Sequence, residues 1–245
     1  MENTTANAAD AAEGLERMVS HYHELAQLAG SLAHEIKNPL AVIRMNMDLL
    51  AEDFAEAETP RERRARAKFG VIHDQCGRLE ALLNDFLKFA RVRSLDLKPA
   101  SLNQQVESVL TFFRVQAREL GIRIQPHLDG ELPTVLLDNE AMHAALLNLV
   151  KNAIEAMPEG GTLTVITRIT SNGVALDLID TGLGMDEKTA LHMFEAFYST
   201  KDGGSGLGLP TARKIIEAHG GRISVQSDVG RGTKFTLELS TPRRI

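Results

Sequence analysis

The chain has 245 residues, 43% of them hydrophobic, and a net charge of −6. Two small domains with sizeable cores are a better expectation at this length than one large domain, and the acidic balance disfavours a nucleic-acid partner, which would call for a basic face. No apolar run approaches the roughly 18 to 20 residues that span a bilayer, and the acidic, Ala-rich stretch Met1 to Glu16 lacks the basic and apolar regions of a signal peptide, so no membrane segment and a cytoplasmic location are expected.

Residues 1–13 have almost nothing to bury and are expected to be disordered. A helical hairpin is predicted over 14–93. Its first helix carries Leu25, Leu28, Leu32, Ile36, Ile43, Met47 and Leu50 at the three-and-four spacing of a buried stripe. At about 100° per residue His34 falls roughly 200° from Leu32, facing solvent. Asn38 shares its face, and Pro39 predicts a kink beside them. After Phe54 the pattern breaks. Thr59 and Glu62 form a capping-box pattern with Pro60 at the first helical position, so a second helix restarts there and runs to about Arg93. Cys76 is spaced with Ile72, Leu79, Leu83 and Phe86 and reads as a packing residue. One apolar stripe per helix cannot enclose a core, so the hairpin is expected to pair with a second copy into a homodimeric four-helix bundle.

Residues 94–100 read as a linker and 101–245 as a second domain. Ser101 can cap a helix over Leu102 to Arg118, Ile122 to His127 suits a strand, and Asn139 to Met157 another helix. Two alternating strands, Thr162 to Thr170 and Val174 to Asp180, flank a tight turn at Ser171-Asn172-Gly173. A glycine-rich stretch, a helix near Gly206 to His219 and strands near Arg222 to Gln226 and Thr233 to Leu239 complete an α+β sandwich, helices on one face of a largely antiparallel sheet.

Four features of this domain converge on a nucleotide. Asn148 and Asn152 share a helix face although Asn is a poor interior helix residue; they are either solvated or suited to Mg²⁺ and phosphate. Asp180 continues the inward phase of Val174, Leu176 and Leu178, and a buried carboxylate needs donors, which an exocyclic amine could supply; the alternative is a capped strand end with an ordinary turn. Lys201 opens a Gly-rich run, with Gly204, Gly206, Leu207 and Gly208 leading into a helix whose free N–H groups suit phosphate, although neither a P-loop nor a dinucleotide fingerprint is present. Phe194 and Phe197 between glycine stretches suit either a hinged lid or a hydrophobic anchor. His219 before Gly220-Gly221 fits a helix end, and His73, His127, His143 and His192 have no evident partners.

The order HEIKNP (His34–Pro39), NLVKNAIEA (Asn148–Ala156), DTGLGM (Asp180–Met185), FEAFYSTK (Phe194–Lys201) and GSGLGL (Gly204–Leu209) resembles the successive boxes of a two-component sensor histidine kinase, in the style of nitrogen-regulation kinase cores. The resemblance implies a phosphoacceptor hairpin followed by a Bergerat-type ATP-binding fold. His34 would take the γ-phosphate of ATP, with Glu35 as its acidic neighbour and Asn38 orienting water for phosphatase action. Asn152 would hold Mg²⁺, Asn148 and Lys151 lie near metal or phosphate, and Asp180 selects adenine in a pocket shaped by Gly182 and Gly184. Lys201 would approach the γ-phosphate, Gly204, Gly206, Leu207 and Gly208 support the phosphates, and Thr233 lies near adenine. The implied cofactors are ATP and Mg²⁺, and the implied partner is a response-regulator receiver domain. Because few residues precede the hairpin, the input is expected from a separate sensor protein or from a longer chain. A silent dimeric scaffold and a related ATPase are the alternatives; Asn148 stands where the ATPases carry a Glu base.

Overall fold

The computed structural model describes residues 35–56, 58–91, 95–201 and 204–241. His34, the predicted helix before it and the stretch 1–13 lie outside the described residues. Contacts divide the chain into two units, Met1–Arg91 and Val92–Ile245.

In the first unit, α1 covers 35–53 and α2 Pro60–Arg91. The restart at Thr59 is a complete capping box: the Glu62 carboxylate accepts from the Thr59 N–H at 2.9 Å, and Thr59 Oγ1 accepts from the Glu62 N–H at 3.2 Å. Arg44 pairs with Glu80 at 2.7 Å, His73 Nε2 lies 3.4 Å from the Asp48 carboxylate, and the Phe54 and Phe69 rings meet edge to face. Partner numbers fall on one helix as they rise on the other, so the helices are antiparallel. Leu40 and Cys76 are buried between them. In the single chain Ile36 and Ile43 of the predicted stripe are exposed, as are Val42, Met45, Val71 and Leu79. Two helices can cover only one stripe of each other, and both carry apolar residues beyond it.

The second unit contains β1 (Lys98–Ala100), α3 (Leu102–Glu119), β2 (Ile122–His127), β3 (Val135–Leu137), α4 (Asn139–Glu155), β4 (Gly161–Thr170), β5 (Gly173–Asp180), α5 (Glu187–His192), α6 (Gly208–Ala218), β6 (Arg222–Asp228) and β7 (Gly232–Ser240). The sheet order is β2-β4-β5-β7-β6, with β2–β4 parallel and the other pairs antiparallel. The stretch expected to be only a linker ends in β1, which pairs with β3. One face of the sheet, with Leu163, Val165, Leu176, Leu178, Phe235 and Leu237, joins a single apolar core with Val106, Val109 and Phe113 of α3, Leu146 and Leu149 of α4, and Ile215 and Ile216 of α6. Ser101 and Asp138 cap α3 and α4 through the N–H groups of Gln104 and Ala141.

The other face carries a buried charge. Asp177 accepts from Thr236 Oγ1 at 2.7 Å and pairs with Lys234 at 3.1 Å and Arg168 at 3.5 Å. Burial pushes its carboxyl up, but the Thr236 hydroxyl and the Lys234 and Arg168 cations outweigh it and hold the group below its ordinary value near 3.8. A carboxyl depressed in the folded state contributes stability above its unfolded value, and that contribution disappears as pH falls through the folded value. Asp177→Asn is therefore expected to cost about 1–3 kcal/mol at pH 7, with the difference from wild type shrinking below about pH 4. Denaturant unfolding of both proteins at pH 7 and pH 3 measures this; an equal loss at both pH values would contradict it.

Candidate functional site

Strand β5 delivers Asp180 to the core side at its last residue, where the sheet gives way to Thr181-Gly182. The side chain is 3% exposed. Its Oδ1 accepts from the Gly182 N–H at 2.9 Å and from the Thr233 N–H on β7 at 3.1 Å. Burial raises the carboxyl above its ordinary value, and these two donors only partly offset that. Thr233 thus joins Asp180 through its backbone, while its hydroxyl shares a 2.9 Å hydrogen bond with Ser227 Oγ. Ser227 also accepts from the Met185 N–H at 2.8 Å. Ser227 and Gly232, which close this corner, are not among the residues singled out from sequence.

The glycines around Asp180 are explained by backbone crowding. A Cβ on Gly182 would run into the Ala156 carbonyl, and one on Gly184 (φ 64°) into the Asp228 carbonyl. Both therefore let the segment after β5 approach its neighbours closely, the end of α4 at Gly182 and the end of β6 at Gly184.

The other half of the site lies on α4. Asn148 and Asn152 are half-buried on one face, and a Cβ on Gly208, the first residue of α6, would have Asn148 Oδ1 at 3.5 Å and Asn152 Nδ2 at 3.9 Å as neighbours. The glycine-rich run therefore ends against the Asn pair. Lys201 Nζ donates to Asn152 Oδ1 at 2.9 Å and to Glu155 Oε2 at 2.5 Å, while Lys151 stands 3.7 Å from the same carboxylate. Glu155, three residues beyond Asn152 on the same helix face, was readable from that spacing. Among the described residues no group of three or more His, Cys, Asp or Glu could hold a metal. The donor set nevertheless fits Mg²⁺, which uses one or two protein oxygens with phosphate and water; the Lys201 ammonium already seats a positive charge between an amide oxygen and a carboxylate.

Of the remaining candidates, Gly204 packs on Ser199, and Gly206 (φ 65°) sits against Phe197 and accepts from its N–H at 3.1 Å. Leu207 is 1% exposed, its N–H donates to Ser205 Oγ, and its carbonyl accepts from both Thr211 Oγ1 and the Thr211 N–H, so it anchors the start of α6 and has no polar group left for a ligand. Phe194 packs on the core with Arg213 5.3 Å above its ring, the anchor alternative, whereas Phe197 is exposed with φ 69°. Glu35 and Asn38 are exposed on α1 of the first unit. His73 and His192, expected without partners, contact Asp48 and Glu195. A cavity of about 720 Å³ between α3 and β2, lined by Leu110, Arg114, Arg118 and Ile122 among others, holds none of the candidate residues.

Two family models match the chain: the His Kinase A (phospho-acceptor) domain over residues 24–95, and the histidine kinase-, DNA gyrase B- and HSP90-like ATPase over 137–243. Sporulation kinase E of Bacillus subtilis (strain 168) is 32% identical over 89% of this chain and 29% of that protein. Full-length ShkA in complex with AMPPNP superposes with a TM-score of 0.69 at 28% identity, over 88% of this chain and 46% of ShkA. Histidine kinase ThkA in complex with response regulator protein TrrA gives a TM-score of 0.63 at 26% identity, over 89% of this chain and 63% of ThkA. The chain spans less than half the length of the first curated relatives it matches. With the phosphoacceptor and ATPase models matching in succession, and with the buried Asp180 and the Asn148–Asn152–Gly208 cluster in the second of them, the chain belongs to the sensor histidine kinases of two-component systems.

Proposed function

We propose that the chain is an ATP-dependent protein-histidine kinase that phosphorylates His34 and passes the phosphoryl group to an aspartate of a response regulator. The observation that carries this reading is the pairing, at one edge of the second unit, of a buried carboxylate with a polar cluster about the start of α6. An adenine amine suits the first, and the phosphates of ATP suit the second.

In the proposed reaction an imidazole nitrogen of His34 attacks the γ-phosphorus, the bond to the ADP oxygen breaks, and Glu35 takes or orients the proton on the other ring nitrogen. Asn152 would hold Mg²⁺, with Glu155 beside it; when bound, the ion neutralises phosphate charge. Lys201 is freed from Asn152 and Glu155 to meet the γ-phosphate. Asn148 contributes an amide where a carboxylate base would activate water, which favours transfer to His34 over hydrolysis. Asn38 orients water for dephosphorylation of the partner aspartate. ThkA, whose structure contains response regulator TrrA, supports a receiver domain as partner. Exposed Ile36, Val42, Ile43 and Val71 support a second copy of the hairpin as the cover of that face, completing a four-helix bundle. Among the described residues no helix is long and apolar enough to cross a membrane, consistent with action in the cytoplasm and input from a separate sensor or preceding segment.

Incubation with Mg²⁺ and γ-labelled ATP tests the reading. The expected label is acid-labile and base-stable, and His34→Gln abolishes it while ATP binding persists. Label that survives in His34→Gln, or ATP binding without label in the wild type, would overturn the proposal.

A further inference from the structure

His219 follows α6, and both its ring nitrogens are engaged. Nδ1 lies 2.7 Å from the Ile215 carbonyl oxygen, one turn back, and Nε2 lies 3.0 Å from the backbone nitrogen of Asp138. A carbonyl only accepts and an amide N–H only donates, so Nδ1 carries the proton and Nε2 is the acceptor. The Nδ1 bond stays within the end of α6. The Nε2 bond crosses 81 residues of sequence to another element.

Asp138 is a significant partner because it fixes the start of α4: its carboxylate accepts from the Ala141 N–H and from the Asp96 N–H, each at 3.0 Å. Helices α4 and α6 pack against each other. Their directions are opposed, since the end of α6 meets the start of α4 at His219, while the start of α6 meets the later half of α4 at Asn148 and Asn152. At 1.5 Å per residue, Asp138 lies about 21 Å along α4 from Asn152, and His219 about 16 Å along α6 from Gly208. Ala145, Leu146 and Leu149 of α4 and Ala212, Ile215 and Ile216 of α6 are buried in the shared core. Apolar packing of this kind is non-directional, whereas a hydrogen bond has a narrow range of length and angle. The His219–Asp138 bond therefore adds a directional constraint between the two helix ends.

We infer that His219 is a positioning residue for the nucleotide: its Nε2 bond to Asp138 sets the register of α6 against α4, and so holds Gly208 against Asn148 and Asn152. The inference rests on the nucleotide reading of that cluster. It also separates the two ring nitrogens, because the register depends on Nε2 and the helix cap on Nδ1. A glutamine at this position can place an oxygen where Nε2 stands; an asparagine can place its amide only where Nδ1 stands.

The test uses the full chain with His219→Leu, His219→Gln and His219→Asn, and Val109→Ala on α3 as a core variant that lowers stability elsewhere. Mg·ATP affinity is read by titration calorimetry, melting temperature without nucleotide, and KM and kcat for autophosphorylation. His219→Leu and His219→Asn are expected to weaken ATP binding about tenfold and raise KM by the same factor, with kcat at saturation within about twofold of wild type. His219→Gln should bind within about threefold of wild type, and Val109→Ala should lose melting temperature with unchanged affinity. Rescue by Asn in place of Gln, or an affinity loss in Val109→Ala equal to that in His219→Leu, would reduce His219 to a cap or a stabilising contact and overturn the inference. If His219→Leu does not fold, the Gln and Asn pair still decides it. Wild-type affinity for ATP with unchanged affinity in every His219 variant would overturn this inference alone; a wild-type chain that binds no ATP would overturn the nucleotide reading and this inference with it.

Discussion

Asp180→Asn is expected to leave the fold standing while cutting ATP affinity by about a hundredfold or more. The two protein donors to this side chain, the N–H groups of Gly182 and Thr233, both meet Oδ1. Asparagine keeps an oxygen there, so both bonds survive and the corner between β5 and β7 stays closed. The second carboxylate oxygen becomes an NH₂ group, which would face the adenine amine donor to donor. A purine with a carbonyl at that ring position should correspondingly gain on ATP, because its acceptor meets the new donor. Asp180→Ala should behave differently, leaving two buried N–H groups without an acceptor and costing fold stability as well as binding. Melting curves and calorimetric titration of the two variants separate these effects. An Asn variant with wild-type ATP affinity, or one as unstable as the Ala variant, would contradict the assignment.

The same carboxylate predicts a pH signature of opposite sign to that of Asp177. Burial raises Asp180, so between its ordinary value near 3.8 and the higher folded value the native state binds more protons than the unfolded chain. Its contribution to stability therefore falls as pH rises through that window. ATP affinity should move the other way: acidification protonates the acceptor at a higher pH than for an ordinary Asp. Asp180→Asn should remove this acid loss of affinity.

Elements with a long periodic pattern were legible in the sequence. The alternation in Val174 to Asp180 put Asp180 on the core side, and the Thr59-Pro60-Glu62 punctuation located the start of α2 with its cap. Strands β1 and β3 have three residues each, too few for a period of two to stand out, and their pairing joins segments about forty residues apart. Two features that the sequence leaves half specified have a common physical origin. At Ile36 and Ile43 apolar spacing identifies a face without identifying its cover: both are exposed in the single chain while Leu40 between them is buried. At Gly184 the sequence marks where a Cβ is unwelcome without saying what occupies the space; here it is the Asp228 carbonyl. His219 carries no signal for its longer bond, since nothing in local spacing links it to Asp138.

Asn152→Ala is expected to make ATP affinity nearly independent of Mg²⁺ and to lower autophosphorylation by about a hundredfold or more. The Asn152 amide oxygen is where positive charge is already held, by Lys201 Nζ at 2.9 Å, with the Glu155 carboxylate on the far side of the ammonium. A divalent ion bound with ATP would draw on that oxygen, while Lys201 moves to the phosphates. Asn152→Ala leaves Asp180, the proposed adenine contact, in place, so binding of the nucleotide itself should persist. What disappears is the link between cation and helix. In the wild type, EDTA should weaken ATP binding; in Asn152→Ala, affinities with Mg²⁺ and with EDTA should coincide. Asn152→Asp restores an oxygen at the same point and should restore the dependence on Mg²⁺. Glu155→Gln tests the other half of the seat: it keeps Asn152 but weakens the hold on Lys201, so ATP affinity in EDTA should rise by a few fold as the lysine becomes available to phosphate. A Mg²⁺ dependence unchanged in Asn152→Ala would move the cation off α4, and with it the phosphates that the Gly208 end of α6 is taken to receive.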